Sequence, residues 1–305
     1  MAIQNIIVGC DLSEGSDQAL ARAIAIAKLH GTRIVLVHAQ ADDAPVKDVD
    51  NEALKQLGEV SAAIRVAEAR EIATRMQMIA AEGLKTDVIS RIGPAGEILT
   101  KAAVDENADL IVVGTHGRTG LSRFLIGSVA AETIRHAHCD VLVCRGAGTG
   151  LFGKPLVATD FSPAATRALE HVCTVCTPGS PLEVVHAWQL PAGSWGATLL
   201  GQARFPWNTV RDAVLSGVKA QADKLAKDEA AAGRNIRVEL VQGQAAAVVT
   251  QTAERGGHDL IAVGAHGHRG VRRLLLGSVA ESTIRHSPCS VLVVHDPSAD
   301  VPPTK

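Results

Sequence analysis

The chain carries one pattern twice. Val8-Gly9-Cys10-Asp11-Leu12-Ser13 has a partner in Val157-Ala158-Thr159-Asp160-Phe161-Ser162, and Val35-Leu36-Val37-His38-Ala39 has one in Glu183-Val184-Val185-His186-Ala187. Ala108-Asp109-Leu110-Ile111 returns as His258-Asp259-Leu260-Ile261, so the offset holds at 148 to 150 residues. From Leu110 to Arg145, about 21 of 36 positions equal their partners in Leu260 to His295. A period this long means duplicated domains rather than a solenoid. The composition divides the 305 residues into a first domain over 1–146, a linker over 147–153, a second domain over 154–296 and a frayed tail over 297–305.

Each copy alternates strand and helix. In the first, Asn5 to Cys10 reads as an apolar strand. Ser13 to His30 has helical periodicity and stops at Gly31, a residue suited to a C-cap. Arg33 to Ala39 is a second strand, Glu52 to Glu82 a long helix and Thr86 to Ile92 a third strand. Gly96 to Glu106 and Ser128 to His136 read as helices, with strands at Asp109 to Gly114 and Asp140 to Arg145. Strands apolar throughout, each joined by a helix, imply a parallel sheet covered on both faces. The fold class is therefore α/β: two tandem doubly wound domains, each with a five-stranded parallel sheet. Ligands of such sheets sit beyond the carboxyl ends of strands where the winding switches. Here that places the first strand, ending at Asp11, beside the fourth, ending at Gly114.

Composition excludes several classes of function. Lys and Arg number 30 and Asp and Glu 32, for a net charge of −2, which gives no general grip on nucleic acid. Aromatic residues are 2% and Tyr is absent, so base-stacking platforms are not expected. No apolar run approaches the roughly 20 residues of a spanning helix, so no membrane role is expected. The start, MAIQNIIVGCD, leads straight into a strand without a basic leader region, and no signal peptide is expected. Six Cys without a dense spacing pattern suit a reducing cytoplasm.

The chemistry concentrates in Gly114 to Val129 and its copy, Gly264 to Val279. Both read Gly-x-x-Gly, nine residues, then Gly-Ser: Gly114, Gly117, Gly127 and Ser128, then Gly264, Gly267, Gly277 and Ser278. Glycines let backbone N–H groups approach a ligand closely. Gly-Ser then opens a helix, whose free N–H groups and positive dipole end favour anions. Arg118, Arg123, Arg269, Arg272 and Arg273 add positive charge. Asp11 or Asp160 across the cleft can accept from a ribose hydroxyl or hold Mg2+. This is a cradle for a nucleotide. It is not a Walker A loop, which needs Gly-Lys-Ser/Thr, nor a Rossmann loop, which follows the first strand.

The twice-repeated spacing resembles the ATP-binding signature of the universal stress protein family, and the resemblance covers nearly the whole chain. It implies a fold of the adenine nucleotide alpha hydrolase-like kind and binding of ATP, or ADP or AMP. It places Asp11 and Asp160 near the ribose and phosphates. Backbone groups of Ala39 and Ala187 would hold the adenine, and Val113 and Val263 would contact base or ribose. The two sets of glycines and serines would bind ribose and phosphates together with Val129 and Val279. The resemblance also implies that the two halves pair within one polypeptide as a pseudo-dimer, with a further homodimer as an option. The loops Gln40 to Asp50 and Gln189 to Trp207 differ strongly, so the two sites are expected to differ in affinity.

Other residues read more plainly. His116 and His266 are phosphate-side residues that shape the loop rather than catalysts. His136 and His286 end helices, where a cation suits the dipole. His266, His268, His286 and Cys289 fit no usual zinc spacing, and no metal is expected from them. Cys173-x-x-Cys176 falls in the first helix of the second half and reads as buried structure rather than a redox pair. The function the resemblance implies is an ATP-binding, nucleotide-dependent stress-response regulator, and no residue pattern here marks a dedicated enzymatic activity. Two alternatives stand beside it. One is slow Mg2+-dependent ATP hydrolysis, with Asp11 or Asp160 on the metal. The other is a scaffold that binds proteins and no nucleotide.

Overall fold

The computed structural model describes residues 2–40, 51–115, 126–190, 207–267 and 276–295. The chain divides into two compact units, the first over Met1–Leu151 and the second starting at Phe152.

The first unit holds β1 (Asn5–Gly9), α1 (Glu14–His30), β2 (Arg33–Gln40), α2 (Asn51–Ala81), β3 (Thr86–Ile92), α3 (Ala95–Asp105), β4 (Leu110–Gly114), α4 (Ser128–His136) and β5 (Asp140–Cys144). Its strands run in the order β3-β2-β1-β4-β5, all parallel. Right-handed crossovers then put α1 and α2 on one face and α3 and α4 on the other. The packing agrees, since Arg75 of α2 bonds Asp17 of α1. The apolar runs that predicted the strands are the core: Ile6, Ile7, Leu36, Ile111 and Leu142 are fully buried.

The second unit repeats the plan with β6 (Pro155–Ala158), α5 (Pro163–Val172), β7 (Leu182–Trp188), α6 (Trp207–Ala231), β8 (Ile236–Gln242), α7 (Ala245–Gly256), β9 (Leu260–Gly264), α8 (Ser278–His286) and β10 (Ser290–Val294). Its order is β8-β7-β6-β9-β10, again parallel.

Local signals set the element ends. Ser13 and Ser162 cap α1 and α5, accepting from the N–H groups of Ser16 at 3.3 Å and Ala165 at 3.2 Å. Gly31 closes α1 with φ 67°, a conformation a side chain resists. A matching carboxylate fastens the start of each first strand. Asp109 accepts from the N–H groups of Gln4 and Asn5, and Asp259 from those of Gly153 and Lys154. One expected boundary is corrected: α5 stops at Val172, Cys173 is its exposed cap, and buried Cys176 bridges to Phe152. The Cys-x-x-Cys run therefore straddles a helix end rather than lying inside a helix.

Candidate functional site

The register brings the expected residues to one edge of each sheet. Gly9 of β1 pairs with Val37 of β2, so Asp11 and Ala39 both lie two residues further on. On the other side Val8 pairs with Val112 of β4, putting Val113 and Gly114 at the same carboxyl edge. In the second unit Ala158 pairs with Val185, and Val157 with Ala262, which gathers Asp160, Ala187, Val263 and Gly264 likewise. Val113 and Val263 are 4% and 3% exposed, so their side chains serve the core and only their backbone groups reach the edge.

Asp11 and Asp160 open matching turns. Oδ1 of each accepts from the N–H of the serine two residues on, at 3.0 Å in both halves. The residue between holds a left-handed conformation, φ 65° at Leu12 and 62° at Phe161. Side chains rarely adopt it, yet it recurs at the same place in both halves. It presents the aspartate to the neighbouring strand end. In the second half Gly267 lies against that carboxylate, where an added Cβ would sit 2.7 Å from Asp160 Oδ2.

The helix tips face the same edge. Gly127 and Gly277 are the N-caps of α4 and α8, and neither helix start has a side-chain cap. Their own N–H groups bond Thr115 and Ala265 carbonyls at 2.8 Å, tying each tip to the end of the preceding strand. The N–H groups of Ser128, Val129 and the next residue, and of Ser278, Val279 and the next residue, have no acceptor inside the helix. Val129 and Val279 are 37% and 36% exposed, beside those N–H groups. A glycine cap, a serine at the first helical position and an aspartate turn thus recur together. They suit the phosphate and ribose of one ligand. Glu281 stands in the first turn of α8, whereas the first turn of α4 has no acidic residue.

His266 is half-buried and Gly267 exposed at the mouth of the second site. His116, Gly117, Arg118, Arg123, Arg269, Arg272 and Arg273 lie outside the described residues, as do 41–50, 191–206 and the tail. His136 and His286 end α4 and α8 as expected, and His286 Nδ1 lies 2.9 Å from the Ser282 carbonyl oxygen. Among the described residues no group of three or more His, Cys, Asp or Glu is placed to hold a metal ion. No described helix is long and apolar enough to cross a membrane.

Sequence reasoning missed the side chains behind the first site. Arg75, 8% exposed, reaches Asp17 at 2.7 Å and Glu71 at 3.0 Å. The neighbouring Cys10 thiol is raised by burial, against a pull downward from the Leu12 N–H and Arg75. Only the spacing Glu68, Ile72, Arg75, Ile79 on one helix face signals this, and two charges in it argue against burial.

Two parallel α/β units, each with a glycine-capped helix tip and an aspartate turn at the carboxyl edge of its strands, define a duplicated α/β fold. The model of the universal stress protein family matches residues 2–145 and again 152–295, and the chain belongs to that family. A universal stress protein of Methanocaldococcus jannaschii is 35% identical over 145 residues, covering 47% of this chain and 82% of that protein. A putative universal stress protein of Staphylococcus aureus is 31% identical over 159 residues, covering 51% of this chain and 92% of its own length. The crystal structure of a universal stress protein from Archaeoglobus fulgidus superposes with a TM-score of 0.65 at 23% identity, covering 95% of this chain and 98% of its own. That likeness shows the fold, carried over both halves.

Proposed function

We propose that each half binds one adenine nucleotide, ATP foremost, and that the protein acts as a nucleotide-dependent stress-response regulator. One observation carries the reading: a glycine-capped, side-chain-free helix tip stands beside an aspartate turn at the carboxyl edge of both sheets. The N–H groups at Ser128 and Ser278 would hold phosphate, and Asp11 and Asp160 would hold ribose or Mg2+. Ala39 and Ala187 would offer backbone groups to the base. Gly267 packs against the Asp160 side chain, where an added Cβ would sit 2.7 Å from Oδ2. The intramolecular pairing of the halves, any further homodimer, the boundaries 1–146 and 154–296 and the cytoplasmic setting belong to the same proposal.

Chromatography of nucleotide released from denatured, freshly purified protein tests the reading, together with equilibrium binding of ATP in Mg2+. Two adenine nucleotides per chain, one for each half, are expected. A Cβ at Gly267 meets the Asp160 carboxylate, so Gly267→Ala weakens the second site about 10-fold, roughly 1.4 kcal/mol. Equal affinity of the wild type and the Gly117→Ala/Gly267→Ala double variant overturns the proposal.

A further inference from the structure

The outer strand of the first half leaves one edge unpaired, and its sequence complements itself when turned end for end. Among the described residues β3 pairs with β2 alone. The Lys85 carbonyl accepts from Ile34 of β2, and the Gly93 N–H donates to Gln40. Backbone groups alternate sides along a strand, so those of Asp87, Ile89 and Arg91 also turn toward β2. The N–H and carbonyl groups of Thr86, Val88, Ser90 and Ile92 therefore point outward. Such an edge is a template for another strand.

Both faces beside this edge carry exposed side chains. His38 approaches Glu68 of α2 at 3.5 Å and has Ser90 as its strand neighbour, so Val88, Ser90 and Ile92 share the α2 face. Val88 and Ile92 are 40% and 54% exposed there. On α2 itself Val60 and Ile64 are 57% and 52% exposed. On the opposite face Asp87 lies 3.1 Å from Arg33, and Arg91 lies 3.6 Å from Asp105 of α3. Their side chains are still 62% and 44% exposed, which leaves room for a partner from another chain.

Charge and register select a second copy of this chain as that partner. Consider an antiparallel copy related by a two-fold axis through Ile89. Val88 then stands opposite Ser90, and Thr86 opposite Ile92, all with outward backbone groups, as hydrogen-bonded pairs require. Asp87 stands opposite Arg91 twice, at the closer spacing of a pair without backbone bonds. Neighbouring axes do worse. One through Val88 sets Arg91 against Lys85, like charge against like. One through Ser90 sets Thr86 against Pro94, which has no N–H. The second half lacks the pattern. Its outer strand β8 has Glu239 in the place of Ile89, where the residue would face its own copy, and Arg237 and Val241 in the places of Asp87 and Arg91. Among the described residues of β8 and α6 no large apolar side chain is exposed.

We propose that β3 is a self-association surface: two copies of the chain join their first halves edge to edge about Ile89, with Asp87 of each copy paired to Arg91 of the other. This gives the homodimer named above an interface, and it does not rest on nucleotide binding.

The test uses the full chain and three variants. Sedimentation equilibrium up to about 100 µM should show a reversible dimer of the wild type. Asp87→Lys and Arg91→Glu each set like charges across the axis and should weaken the dimer about 10-fold or more. Mixed in equal amounts, these two variants set opposite charges against each other again and should associate near wild-type strength. A change confined to one chain cannot produce that recovery. Ser90→Pro removes an outward N–H that β2 does not use, and should give a folded monomer. Circular dichroism checks the fold of each variant. A wild type monomeric at every concentration overturns the surface. So does a dimer that the folded variants leave intact, or an equal mixture that stays monomeric. Each measurement is made with and without MgATP. A β3-dependent dimer that binds no ATP overturns the nucleotide reading alone, and a monomer that binds ATP overturns this surface alone.

Discussion

Helices α2 and α6 fill the same place in their halves and meet the sheet with opposite chemistry. Counted from Gly83 and Gly233, the packed face of α2 is Glu68, Ile72, Arg75 and Ile79, and that of α6 is Val218, Ala222, Leu225 and Glu229. Each polar position of one face is apolar in the other, apart from the shared aliphatic pair Ile72 and Ala222. The α1 partner changes in step: Asp17 bonds Arg75 in the first half, and Thr166 occupies its place in the second. The second half moves its buried ion pair to the helix end, where Glu229, 4% exposed, meets Arg234. The turns and helix tips at the carboxyl edge, by contrast, agree almost bond for bond. The two halves thus keep the backbone at the carboxyl edge while exchanging polar for apolar support behind it.

The largest break in that comparison is expected at the close approach of β4 to α1. An added Cβ on Gly114 would sit 2.7 Å from the Gly15 carbonyl oxygen, so backbone must move. The same change at Gly264 meets Ala164 at 3.1 to 3.2 Å, which a small shift relieves. Urea unfolding should show Gly114→Ala destabilised by about 2–3 kcal/mol and Gly264→Ala by about 1 kcal/mol. Equal costs would mean that α1 and α5 yield alike.

Next comes the exchanged face. Arg75→Leu installs the residue of the second half. Asp17 and Glu71 are 49% and 61% exposed and return to water, so the loss should stay near 1 kcal/mol rather than the several of a fully buried pair. A loss above roughly 3 kcal/mol would show the cluster acting as a buried unit. The helix caps sharpen the comparison from the conserved side: Ser13→Ala and Ser162→Ala should each cost about 1 kcal/mol, and equally.

The smallest effect concerns thiols. Cys173 is exposed, while Cys144 and Cys176 are buried, and burial pushes the Cys144 thiol up to about 12 and raises that of Cys176 further. Cys173 is raised as well, by burial ahead of its charged neighbours. Native protein at pH 8 should therefore alkylate at Cys173 first, more slowly than a free thiol, with Cys144 and Cys176 reacting only on unfolding. Rapid labelling of Cys176 would show that the turn after α5 opens.

Much of this was legible in the sequence. The repeat, the apolar strands, the glycines and the Gly-Ser helix starts report local or periodic requirements, and residues beside one another carry them. Helix α4 begins and ends at Ser128 and His136 as the pattern predicts. The helix end at Val172 was not legible, because no glycine marks it and Cys173 continues in helical backbone at φ −63°, ψ −23°. The approach of His38 Nε2 to the Glu68 carboxylate of α2, at 3.5 Å, joins residues far apart in the chain. A glutamate with charged neighbours reads as solvated until the fold turns it inward. The left-handed turns at Leu12 and Phe161 were hidden for another reason: their residue types favour other conformations, and only the cap, the aspartate and the strand end together impose them.

Those two turns also bear on how such a duplicated gene can change. A left-handed backbone admits glycine, asparagine or aspartate readily and an unbranched side chain at some cost, but it resists Val, Ile and Thr. Positions 12 and 161 are therefore closed to the β-branched residues that fill the adjoining strands, whatever ligand each half comes to prefer. Selection can redraw the long helices freely, while the turn between strand and first helix stays within a short alphabet.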